Sequence, residues 1–177
     1  MKSTSFAARE QGFGLIEVLA AVLVLAVGVV GFAALQLRAV QTSGDSYFRT
    51  QAMSIAQDLA ERVHSNPSEM AYYLTAGNWP TTSQNTAPVT CMTGNCTTNQ
   101  MAVFDAESVR FAAQTLLPQG LISMQTCQDS VMNCIYVAWD GLQPTAGASG
   151  QCVGTNGAYV SPPANRPSLP CIMLEVQ

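Results

Sequence analysis

GFGLIEVLAAVLVLAVGVVGFAALQ, residues 12–36, decides how the rest of the chain is read. Between Gln11 and Leu37 it carries one charged side chain, Glu17. From Val18 to Leu35 no side chain is polar. That length approaches the roughly 20 apolar residues a helix needs to cross a bilayer, and Phe13 to Ile16 extend it. Lys2 and Arg9 precede the run, which predicts a cytoplasmic leader and an exported remainder. A secretory signal would be cut after the run, at small residues such as Ala33-Ala34. Such a cut discards the most helical part of the chain. An uncleaved anchor leaves Glu17 unexplained, because a carboxylate inside a membrane helix is costly unless it is interfacial, neutralised or paired. A cut between Gly12 and Phe13 resolves this. It creates an α-amine about one helical turn before Glu17, and a carboxylate in a first turn also suits the helix dipole.

Beyond the apolar run, Phe48, Ala52, Ile55, Leu59 and Val63 recur at helical spacing, with Arg49, Gln57, Asp58, Glu61 and Arg62 as polar neighbours. Asn66-Pro67 ends the pattern. The spacing predicts a nearly continuous helix from Phe13 to about Ser65, apolar in its first half and amphipathic in its second. Gly28, Gly31 and Gly44 are its weak points, and 41–44 is the expected break. Met70 to Leu74 reads as a short helical piece. The Thr-, Asn-, Gly- and Pro-rich stretch 76–100 reads as a loop. A second helix is predicted over 105–117, capped by Asp105. Strands are predicted at Leu121–Gln125, Asn133–Trp139 and Cys171–Val176, with 141–167 turn-rich.

Composition narrows the function classes. The 177 residues suffice for one domain plus an appendage. Net charge is −4 and only 10% of residues are charged, so no basic patch exists to hold a phosphate backbone. Nucleic-acid binding is not expected. Six cysteines, Cys91, Cys96, Cys127, Cys134, Cys152 and Cys171, all lie in the C-terminal half. An even count there predicts disulfides in an oxidising compartment. Sequence leaves the connectivity open; sequential pairing is the simplest arrangement. Close metal-ligand spacing is missing, and the only histidine, His64, lies far upstream at a helix end. Asp105, Glu107, Asp129 and Asp140 read as isolated acids, and Trp139 as a core residue. With no phosphate loop and no free-thiol pattern, neither catalysis nor a cofactor is expected.

GFGLIEVL at 12–19 resembles the class III signal of type IV prepilins: a basic leader ending in Gly, an aromatic residue, and Glu fifth after the cut. The resemblance implies a membrane peptidase that cuts after Gly12 and N-methylates Phe13, with Glu17 serving subunit assembly. It implies an α+β pilin fold, a long N-terminal helix packed on a small antiparallel sheet with disulfide-braced loops. The implied division is a leader at 1–12, a transmembrane and assembly half-helix at 13–40, and a periplasmic globular domain at 41–177. More narrowly, LIEVLAAVLVLAVGVVGFAALQLRA (15–39) and QAMSIAQDLAERVHSNP (51–67) resemble the PilV-like minor pilins. That implies a structural subunit that helps prime assembly and joins a tip complex. Its implied partners are the prepilin peptidase, PilW-, PilX- and FimU-like minor pilins, the major pilin, a large tip adhesin and the inner-membrane assembly platform. Such a subunit is single-pass in the inner membrane before assembly and on the pilus afterwards. A type II secretion pseudopilin shares the same N-terminal logic, and a membrane-tethered periplasmic enzyme or redox protein is the rival from another class.

Overall fold

Helical periodicity dominates the first 65 residues, and the computed structural model turns it into one helix, α1, spanning Leu15–Ser65. The structure describes residues 14–82, 91, 94–128, 130–146, 151–154 and 168–177. The expected break at 41–44 is absent: these residues are helical. Gly44 costs helix stability of only about 1 kcal/mol, which one residue in a 51-residue helix absorbs. Contacts divide the chain between Ser43 and Gly44. In the first unit every described residue is exposed, Leu15 and Ile16 at 83% and 78%. In the second unit the same helix buries Ala52, Ile55, Ala56, Leu59 and Val63 along one face.

Pro67 closes α1 into a 3-10 turn, Pro67–Glu69, followed by a short helix, α2, Met70–Tyr73. A second 3-10 turn, Ala76–Asn78, brings Trp79 inward, where its indole N–H donates to the Tyr73 carbonyl at 2.6 Å. The next helix, α3, spans Thr98–Leu116 and so starts one and a half to two turns earlier than predicted. Its cap is Thr97, not Asp105. The Thr97 hydroxyl accepts the Gln100 N–H, and the Gln100 side chain accepts the Thr97 N–H, a complete capping box. The polar composition of 76–100 concealed this start, because a capping box looks like loop sequence.

The strands are β1 (Leu121–Thr126), β2 (Asn133–Ala138), β3 (Gln143–Ala146), β4 (Gln151–Val153) and β5 (Cys171–Val176). β1, β2 and β5 form an antiparallel sheet with β2 central, pairing Ile122 with Val137 and Val137 with Ile172. β3 and β4 pair separately, so 141–167 is not wholly turn: both strands lie in it. Their shortness and the Pro within β3 hid them from the sequence pattern. Strand alternation sends side chains to two cores. Ile122, Met124, Ile135, Val137 and Ile172 meet α1 and α3, with Leu59, Val63 and Val109 among the facing residues. Cys134, Tyr136, Ala138 and Cys171 point the other way, against Cys152, Val153 and Leu169. β2 is thus covered on both faces, and its residues 134–138 are all buried. This is an α+β pilin fold: a long N-terminal helix on a small antiparallel sheet.

Three disulfides brace it: Cys91–Cys96 ahead of α3, Cys127–Cys134 across the β1–β2 connection, and Cys152–Cys171 from β4 to β5. Their Cα separations are 5.8, 5.0 and 5.7 Å, the ordinary range for the bond. The last two lie in the second core, where Cys152–Cys171 fastens the covering layer to the sheet.

Candidate assembly helix and the polar hub

Gly12 and Phe13 lie outside the described residues. Glu17 sits in the first turn of α1, where its N–H donates to the Gly14 carbonyl at 2.9 Å. Its side chain stands at the head of a shallow apolar groove formed with Val18, Ala21, Val22 and Leu25. Among the described residues no cation pairs with it. The helix around it is long and apolar enough to cross a membrane, with a mean hydropathy of 2.9 in its most apolar stretch. A fully exposed surface of this kind has no stable place in water, since about 25 cal/mol of transfer free energy attaches to each Å² of apolar area. The surface requires lipid or other helices around it.

The second concentration of polar chemistry lies in the globular unit and was not legible in the sequence. Asp105, read there as an isolated helix cap, is mid-helix and only 4% exposed. One carboxylate oxygen accepts from Arg62 Nη1 at 2.9 Å, and the other accepts from the Tyr73 hydroxyl at 2.8 Å. Arg62 also donates from Nε to Asp58 at 2.9 Å. The acid therefore ties α1, α2 and α3 together. Desolvation pulls the Arg62 guanidinium down, but hydrogen bonds and charges from Asp58 and Asp105 outweigh it and leave the group above its usual value. The Tyr73 phenol is pushed well up, first by burial and then by its bond to the Asp105 carboxylate. Both oxygens of Asp105 are engaged, one by Arg62 and one by Tyr73.

Beside this hub runs an open groove of about 600 Å³, lined by Asp58, Glu61, Ser65, Thr98 and Met101 among others. His64 is exposed at the end of α1. Cys127, Cys134 and Glu175 bring ligand-type atoms close together, but the two sulfurs are bonded to each other and offer no thiolate to a metal. On the far side of α3, Arg110 and Gln114 donate to the carbonyls of Pro80 and Thr82, holding the segment before the first disulfide. Burial lowers the Arg110 guanidinium, opposed by the neighbouring Glu107.

Comparison with known proteins agrees with this division of labour. The prokaryotic N-terminal methylation motif matches residues 7–33. The family of type IV pilin Tt1218 matches residues 34–107, from the apolar helix to just past Asp105. Comparison with curated proteins and with solved structures gave no match. The two family matches abut, and they cover the apolar helix, its amphipathic continuation and the hub that locks it to α3. Together the two matches run from residue 7 to residue 107 and support a type IV prepilin, a pilin or pseudopilin subunit.

Proposed function

We propose that this chain is a PilV-like minor pilin of a type IV pilus. The observation that carries the reading is the junction GFGLIEVL at 12–19, a Gly-Phe bond followed by one acid in an otherwise apolar helix. The peptidase hydrolyses the Gly12–Phe13 amide with water and releases residues 1–12; the new Phe13 amine then takes a methyl group from a sulfonium-type methyl donor, whose C–S bond breaks to leave a thioether, and loses a proton. Residues 13–40 hold the subunit in the inner membrane, with 41–177 on the periplasmic side. On assembly the apolar half of α1 leaves lipid for the helices of other subunits. Glu17 then meets a Phe13 amine, which neutralises a charge that lipid would disfavour and fixes axial register. The subunit contributes structure rather than catalysis. It joins PilW-, PilX- and FimU-like minor pilins and the major pilin on the assembly platform, beneath a large tip adhesin. The narrower PilV-like assignment rests on the text at 15–39 and 51–67.

Coexpression with a prepilin peptidase tests the processing step. Intact mass and N-terminal sequencing should place the mature end at Phe13, methylated; an uncut chain overturns the reading. Glu17→Ala should still be cut but assemble poorly, and normal piliation removes the register role. Pull-down of the chain with minor pilins against type II secretion pseudopilins separates the two assemblies: retention by the secretion set alone makes it a pseudopilin.

A further inference from the structure

From Leu15 to Ser43 α1 is exposed on every side, and its first buried residue is Ala52. Between these points lie about two helical turns that need some other restraint, because a helix without packing frays in water. Phe48 supplies part of it, half-buried against the main core. The rest is polar and comes from the far end of the chain. Arg49 Nη2 donates to the Leu169 carbonyl at 2.6 Å, and its guanidinium lies 5.8 Å from the centre of the Trp139 ring. One turn earlier, Asp45 accepts from the Ser168 hydroxyl at 3.0 Å.

The segment that receives these bonds, 168–171, is itself held down. Leu169 is buried in the second core, the Trp139 backbone N–H donates to the Pro170 carbonyl at 3.0 Å, and Cys171 is bonded to Cys152. A fixed strap therefore grips a marginal stretch of helix. The division of the chain by contacts, between Ser43 and Gly44, falls one residue before Asp45. We propose that Asp45, Arg49 and the strap 168–171 form a clasp that sets the residue at which α1 ceases to be held by the globular unit. The clasp lies wholly within the second unit and makes Arg49 the residue that holds the first turns of its part of α1. It also links the disulfide-held C-terminal segment to the helix across 120 residues of sequence.

Hydrogen exchange on the full chain in detergent micelles tests this without depending on processing or piliation. A failure of the minor-pilin reading would leave the measurement untouched. In Arg49→Ala, amides 46–52 should exchange about ten- to a hundredfold faster, the range for losing a charge-assisted hydrogen bond. Amides 55–63 and the three-stranded sheet should keep their rates. Arg49→Lys should return part of the protection, since an ammonium can still donate to a carbonyl and sit over a ring, though without the planar fork. Asp45→Asn should change the same amides in the same direction by less. Unchanged rates at 46–52 in Arg49→Ala overturn the clasp. So does a uniform acceleration across 44–177, which would make Arg49 a general stabiliser.

Discussion

Replacing Asp105 by Ala should destabilise the globular unit by about 1–4 kcal/mol. The figure is built from two parts. Tyr73 is fully buried, and its hydroxyl loses its acceptor, which costs about 1–3 kcal/mol for an orphaned polar group. Arg62 loses one carboxylate but keeps Asp58, and its side chain is 30% exposed, so its share is about 0–1 kcal/mol. A unit of this size should then melt roughly 3–15 °C lower. Trp79 reports directly, because its indole is bonded to the Tyr73 carbonyl. Denaturant unfolding of the full chain in micelles, followed by tryptophan fluorescence, reads the globular unit. The double variant with Tyr73→Phe should show a coupling of about 1–2 kcal/mol, since the two groups share one bond. A single-variant loss under about 0.5 kcal/mol, or strict additivity with Tyr73→Phe, would refute the claim that this acid locks the three helices together.

Three further outcomes follow from the geometry. Gly120→Ala would place a methyl group against the Ala113 carbonyl and 2.8 Å from Leu117 Cβ, so the turn must shift. It should cost about 1–3 kcal/mol, the usual range for forced overpacking, and an unchanged melting temperature would argue against it. Thr97→Ala removes the capping box of α3 and should cost about 1 kcal/mol, read as a melting temperature roughly 3–5 °C lower. The Tyr73 phenol, held above its ordinary value of 10.0, binds its proton more tightly folded than unfolded. Its contribution is therefore complete below about pH 10 and is lost as pH rises from there through the folded value. Tyr73→Phe should flatten that alkaline fall in stability, measured by denaturant midpoints at rising pH; an identical slope in both proteins would remove the effect.

What could be read in advance followed from local physics. An unbroken apolar run, a lone acid and a Gly-Phe junction lie next to one another, so periodicity and charge expose them without any knowledge of tertiary contacts. β2 was legible for the same reason, since NCIYVA is rich in β-branched and aromatic residues. The start of α3 was not. Its first turn, Thr98 to Met101, is mostly polar, and only the reciprocal bonds of Thr97 and Gln100 reveal a helix end. β3 and β4 escaped because three or four residues carry too little alternation to distinguish strand from turn.

The sequence by itself determined the membrane-length helix, the class of protein and the presence of a cysteine-braced α+β domain. Each depends on residue types at short spacing. Tertiary structure alone decided the role of Asp105, which meets Arg62 across 43 positions and Tyr73 across 32. It also decided the role of Arg49, which reaches Leu169 across 120. No periodicity links such partners, because their proximity arises from the packing of α1, α3 and the sheet around shared cores. An acid that looks isolated along the chain becomes the lock of three helices only once those elements are brought together.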